Sequence, residues 1–245
     1  MTLEQTRQLG IEFERRIQAV MPTEELFNKL DTDTIYAYLN EYQMAYVHDI
    51  YRNLDRLQPD TTLTAHVESV LQSMMTSTTL KIADKIEKNV DEGWNDIIND
   101  CGRSITWELP SNYYMYIRSV SNVSKTYSWA SRSLDNTDVL PNVYTKQTDI
   151  WKLLETPHNG LRILRYPAVV LSQYTKTDDN KKPTITVIHD RYTDIRGVKV
   201  IYYKQPQYFS LMTSTPCELP MDAFEDIVSG AVQLYLAYAG GQLKQ

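Results

Sequence analysis

Residues 217–245 read CELPMDAFEDIVSGAVQLYLAYAGGQLKQ. A whole helix is spelled out there: Pro220 precedes it, Asp222 and Glu225 stand at capping distance, and Gly240-Gly241 offers a stop. Phe224, Ile227, Val228, Ala231, Leu234, Tyr235 and Tyr238 recur every three or four residues and make a broad apolar face. A helix that apolar must bury its face. The first candidates to receive it are the helices expected at the other end of the same chain; a neighbouring subunit is the alternative.

Those helices are marked just as locally. In Thr2-Leu3-Glu4-Gln5 the spacing is that of a capping box, and Leu9, Phe13, Ile17 and Val20 follow at helical intervals until Met21-Pro22. A second helix is expected from Asp31 to Asp33 onward, carrying Ile35, Tyr38, Leu39, Tyr42, Tyr46, Ile50, Leu54 and Leu57 before Pro59. Residues 61–75, TTLTAHVESVLQSMM, continue the pattern through Val67, Val70, Leu71 and Met74. Residues 78–101 stay ambiguous: Ile82, Ile86 and Val90 fit a helix, whereas the Thr-rich entrance and Gly93 leave a strand pair open.

From Ile105 the chain turns β-branched and aromatic. Residues 111–129, 161–174, 183–190 and 195–206 each read as strand. The polar run TKTDDNKKP at 175–183 makes the second and third of these a hairpin, and KQTDIWKLLETP at 146–157 predicts a short helix before them. The fold class expected is therefore α+β: an N-terminal helical unit, a mainly antiparallel β region and a C-terminal helix packing back. One domain is expected over 1–245, with a helical part at 1–78, a mixed and mainly β part at 79–218, and the closing helix and tail at 219–245.

With 42% hydrophobic and 23% charged residues in 245, the chain has the composition of a folded protein with a sizeable core. Its 18 Tyr against 4 Phe favour rings that bury one edge and keep a hydroxyl near water or a partner, a choice typical of core peripheries and of interfaces. A net charge of −6 argues against affinity for nucleic acid through clustered cations. Cys101 and Cys217 form no CxxC pair, so neither a zinc site nor a disulfide framework is indicated and a reducing compartment is expected. The opening residues lack an apolar signal core, and no run of about 18 apolar residues predicts a membrane span.

Catalytic patterns are not found. His48, His66, His158 and His189 stand in no metal-ligand spacing, and the best acidic neighbourhood, His189-Asp190 with Asp194, equally fits a capped turn beside a surface histidine. No nucleophile elbow or phosphate-cradling glycine loop occurs, and the carboxylate pairs Asp31/Asp33, Asp91/Glu92 and Glu225/Asp226 fall at helix starts or turns, where they complement the helix dipole. No catalytic, cofactor or metal residue is therefore assigned. The residues singled out are packing or subunit-interface candidates: Tyr38, Tyr42 and Tyr46 on the second helix, and Phe224, Ile227, Leu234 and Tyr235 on the last.

Four stretches carry a family resemblance: residues 1–18, MTLEQTRQLGIEFERRIQ; residues 140–171, LPNVYTKQTDIWKLLETPHNGLRILRYPAVVL; an expected hairpin at 186–206, TVIHDRYTDIRGVKVIYYKQP; and residues 217–241. Together they resemble a virion structural protein of the crAss-like tailed phages, and the last segment is similar to endings in head-to-tail connector and tail-adaptor proteins. The resemblance implies a non-enzymatic ring or adaptor subunit without cofactor, in about twelve copies if it follows the portal's symmetry. Such a ring would extend the portal channel and dock neighbouring ring or tail proteins, with DNA passing through without specific binding. It would reside in the portal-tail region of the virion, and in the host cytoplasm during assembly, without contacting a membrane. An acidic channel wall would let DNA slide by like-charge repulsion. The alternatives are a tail-completion or assembly factor acting as monomer or dimer and, more remotely, a metal-dependent hydrolase using His189 and Asp190.

Overall fold

The computed structural model describes residues 1–20, 30–54, 61–86, 103–125, 137–146, 149, 166–172, 182–189 and 193–242. They gather into two compact units, Met1–Met75 with Gln205–Gln245, and Thr76–Lys204. The first is helical, so the chain leaves it once and returns to it at residue 205, earlier than the break at 218 that composition marks.

Among the described residues four α-helices make the helical unit: α1 (Leu3–Val20), α2 (Thr32–Asn53), α3 (Thr61–Met74) and α4 (Phe224–Gln242). The local start signals act as their chemistry requires. Thr2 N–H donates to Gln5 Oε1 at 2.8 Å and Gln5 N–H to Thr2 Oγ1 at 3.3 Å, a reciprocal capping box. Asp31 Oδ1 accepts the Thr34 N–H at 2.7 Å and opens α2. Leu9, Phe13 and Ile17 of α1 are buried as their spacing predicts, whereas Val20 is exposed at the helix end. The core of α2 consists of Ile35, Tyr36, Leu39, Val47, Ile50 and Tyr51, with Asn40 and Gln43 buried among them. Leu57 and residues 21–29 lie outside the described residues.

The start and stop of α4 differ from expectation. A single 3-10 turn, Met221–Ala223, precedes it, and no side chain caps that turn. Asp222 stays exposed, while Glu225 turns to Arg16, whose guanidinium donates to Glu225 Oε2 at 2.7 Å and to Ser229 Oγ at 2.7 Å. A full cation across the helix pair outcompetes a neutral backbone N–H for that carboxylate. At the far end the helix runs through Gly240 and Gly241 to Gln242. Glycine keeps its N–H and so permits a stop without imposing one; among the described residues no glycine takes a positive φ.

The second unit is a sandwich of two four-stranded sheets. Its strands are β1 (Met75–Lys81), β2 (Arg103–Glu108), β3 (Tyr113–Lys125), β4 (Thr137–Pro141), β5 (Val143–Tyr144), β6 (Ala168–Ser172), β7 (Thr184–His189) and β8 (Thr193–Lys204). One sheet has the order β1-β8-β3-β4 and the other β2-β7-β6-β5, antiparallel in the described pairings except for β5 with β6. Leu80, Val123, Ile195, Val198, Val200 and Tyr202 from the first sheet share one core with Trp107, Val169, Ile185 and Val187 from the second. Trp107 is fully buried, and its ring N–H is satisfied by the Lys81 carbonyl at 2.8 Å.

The expected α+β class is observed. The β6–β7 hairpin is present too, with Ala168 opposite Ile188 and Ser172 opposite Thr184. The hairpin expected at 186–206 is not: β7 lies in one sheet and β8 in the other. Strand β7 is buried at every position and sits between β2 and β6. Strand β8 alternates buried and exposed residues and pairs with β3 over most of its length, so each satisfies its backbone with a different neighbour. The Thr-rich entrance to the ambiguous stretch is strand β1, and the turn after it is the 3-10 segment Ile82–Asp84; Val90 and Gly93 lie outside the described residues, as does nearly all of the short helix expected at 146–157. Strands β4 and β5 were not expected. Asn142 carries the chain from β4 to β5, held by Ser119 Oγ at 2.8 Å and Ser121 Oγ at 2.7 Å.

Candidate functional site

The spacing of four residues places Tyr38, Tyr42 and Tyr46 in one row along α2, and the structure turns that row toward α4. The Tyr38 ring meets Tyr235 edge-on at 5.4 Å between centroids and Tyr238 at 6.0 Å. Tyr42 stacks on Tyr46 at 6.4 Å. Its other neighbour is Gly230 of α4: a Cβ built there would fall inside the Tyr42 ring, so only hydrogen at position 230 lets the two helices approach this closely. Ile227 and Tyr235 are buried in the same seam, while Phe224 and Leu234 are half-buried. All seven residues singled out from the sequence belong to α2 and α4, and the row packs with Gly230 and Tyr235 within one chain.

At the end of the row lies a cluster of three polar side chains. Tyr46 Oη is 2.7 Å from His66 Nε2 of α3, and Asp226 Oδ2 is 3.2 Å from the hydroxyl and 3.0 Å from the imidazole nitrogen. Three groups within mutual reach need two protons. The hydroxyl donates to the carboxylate, and Nε2 carries a hydrogen shared between the two oxygens. Burial first, and then the Asp226 carboxylate, raise the Tyr46 pKa, so the phenol stays protonated and donating. The cluster therefore ties α2, α3 and α4 together with its donors spent on one another.

The side of α2 toward the returning chain is organised differently. Asn40 mimics a backbone unit: its Oδ1 accepts the Phe209 N–H at 2.9 Å while its Nδ2 donates to the Phe209 carbonyl at 2.8 Å. One turn on, Gln43 donates to the Gln207 carbonyl at 3.1 Å and accepts the Cys217 thiol at 3.3 Å. Thr6 Oγ1 accepts the Cys217 N–H at 3.0 Å. These three side chains pin residues 207–217 over α1 and α2. Burial pushes the Cys217 thiol up to about 11, which makes it a packed, unreactive sulfur. Sequence periodicity missed Asn40 and Gln43; the available signal was two amides in register with Ile35, Leu39, Val47 and Ile50.

Between α2 and the pinned segment runs an open groove of about 520 Å³. Tyr36 and Phe209, in edge-to-face contact at 5.8 Å, form its buried floor. Asp33, Ala37 and Glu41 stand at successive turns along one rim, and Tyr208, 68% exposed, stands on the other.

Among the described residues no three His, Cys, Asp or Glu side chains gather where a metal could be held. His189 is buried at the end of β7, Asp194 is exposed on β8 in the other sheet, and Asp190 lies outside the described residues. Among those residues no helix is long and apolar enough to cross a membrane. No protein-family model matches the chain, and no curated protein matches it significantly. The site's geometry is a grooved helix face carrying Asp33 and Glu41 beside an aromatic seam.

Proposed function

We propose that this chain is a non-enzymatic structural protein of a tailed-phage virion, a ring or adaptor subunit of the head-to-tail connector that extends the portal channel and docks tail components. The observation that carries the reading is the two-unit build. One chain supplies a helical unit that includes its own first and last helices and, inserted between them in sequence, a β sandwich. A closed ring buries one patch of each subunit against a different patch of the next, and two unlike units furnish two unlike patches. The resemblance of residues 1–18, 140–171, 186–206 and 217–241 to crAss-like phage virion proteins supports the same reading. On this proposal about twelve copies sit on the portal in the virion, with DNA passing through the lumen unbound.

A monomeric or dimeric tail-completion or assembly factor is the second reading, favoured by one observation: the seam of Tyr38, Tyr42 and Tyr235 is filled from within the chain. Mass photometry of the purified protein, alone and mixed with the portal ring of the same virus, separates the two. A ring, or many copies on the portal, is the expected result; a monomer that ignores the portal would transfer the assignment to the assembly factor.

A further inference from the structure

The net charge of −6 hides a strong segregation. Met1–Met75 and Gln205–Gln245 together carry 7 Lys and Arg against 16 Asp and Glu, net −9, whereas Thr76–Lys204 carries 18 against 15, net +3. The chain is an acidic helical unit joined to a basic β unit.

Each unit presents part of its charge on a surface with a definite shape. On the helical unit this is the groove along α2, where Asp33 and Glu41 are exposed and eight residues apart, about 12 Å along the axis. Among the described residues no basic side chain lines that groove. On the β unit it is the outer face of the β1-β8-β3-β4 sheet. A bulge in β8 sets that face: Asn122 of β3 pairs with Gly197 and Val123 with Ile195, leaving Arg196 as the extra residue. The bulge keeps Ile195 and Val198 both turned into the core while Arg196 and Lys199 are exposed, about 10 Å apart along the strand. Arg118 adds a third cation on β3, opposite Ile201, and the half-buried Val120 lies opposite Lys199. None of Arg118, Arg196 and Lys199 is in an ion pair with another described residue. Asp194 is the carboxylate exposed on β8, at its far end.

We propose that neighbouring copies of this chain associate head to tail, with the acidic groove along α2 of one copy receiving the basic outer sheet face of the next. Asp33 and Glu41 face Arg196 and Lys199, whose spacings agree to within the reach of the side chains. The exposed Tyr208 ring covers Val120 and Ile201. This deepens the ring reading above and rests on it. A second copy fits better than nucleic acid: phosphate binding would use the cations but leave the acidic groove without a role, and the Asp194 carboxylate would face the phosphates. A surface repeated on every subunit and complementary to a different surface of the same subunit is what a heterologous ring requires.

The test compares assembly of the wild-type protein with that of two charge-reversed forms, D33K/E41K and R196E/K199E, by mass photometry alone and on the portal ring, with circular dichroism to verify folding. The expected result is at least about tenfold weaker assembly for each variant by itself, because like charges now face each other, and recovery in an equimolar mixture, where every groove finds a sheet of opposite sign. Should a reversed form fail to fold, the neutral pair D33N/E41Q and R196Q/K199Q takes its place, with a smaller loss and a weaker salt dependence expected. Wild-type assembly that both variants reproduce, or a mixture that does not recover, overturns the proposed surfaces and leaves the ring reading standing. A wild-type protein that assembles neither alone nor on the portal overturns both. Binding of a duplex DNA fragment that R196E/K199E abolishes, with assembly unchanged, assigns the sheet face to nucleic acid and overturns the proposal.

Discussion

Replacing Gly230 by alanine sets two known effects against each other, and the structure decides the sign. In an exposed helix interior the change stabilises by about 1 kcal/mol, because alanine loses less conformational entropy than glycine. Here the new methyl would occupy the Tyr42 ring. Tyr42 cannot simply swing away along the helix, since it stacks on Tyr46, which is tied to His66 and Asp226. Forcing a methyl group into such a contact costs about 1–3 kcal/mol, so a net loss of about 1 kcal/mol is expected for Gly230→Ala. With a urea m value of about 2 kcal/mol/M, the midpoint falls by about 0.5 M. Far-UV circular dichroism follows the helices. Trp107 is fully buried in the β core, so tryptophan fluorescence checks that this unit keeps its fold. On a Tyr42→Ala background the obstacle is gone and Gly230→Ala should become stabilising by about 1 kcal/mol, an inversion that a double-mutant cycle reads directly. A rise in stability on the wild-type background, the result helix propensity alone demands, would refute the close Tyr42–Gly230 approach.

Asn40→Ala strips the partners from the buried Phe209 N–H and carbonyl together. A loss of about 2–4 kcal/mol is expected, with faster hydrogen exchange at the Phe209 amide; unchanged exchange would detach the 207–217 segment from α2. Cys217, in a Cys101→Ser background, should react with a thiol reagent at pH 8 about a hundredfold more slowly than a free cysteine, its thiol being pushed up to about 11 by burial. A folded pKa above the unfolded value of 9.0 contributes stability that is complete below about pH 9 and lost as the pH rises toward 11. Removing the thiol by Cys217→Ala should therefore flatten the stability curve in that window and nowhere below it, as measured by urea midpoints across the alkaline range.

Much of this protein is written locally. The capping box at Thr2 and Gln5, the Asp31 cap, the helical spacing of Leu9, Phe13 and Ile17, and the β-branched runs that became β6, β7 and β8 all work through neighbours two to four residues away. A linear reading sees those distances, and the α+β class follows from them. Partner choice was not legible in the same way. Residues 186–206 contain two good strands, yet nothing between them states that β7 will join β2 and β6 while β8 crosses to β3. Glu225 has the spacing of a cap and the fate of an ion pair, because the guanidinium that claims it lies 209 residues away. The tyrosine row was visible as a period of four, but its tight seat depends on Gly230, and the pinning amides Asn40 and Gln43 looked like interruptions of an apolar stripe. Local signals, which act within one turn or one pleat, marked the described helices and the strands β3, β6, β7 and β8, but left β1 ambiguous and β4 and β5 unmarked. What each segment packs against, and which charges share a surface, is settled by folding, because those free energies arise between residues that meet only after the chain has folded.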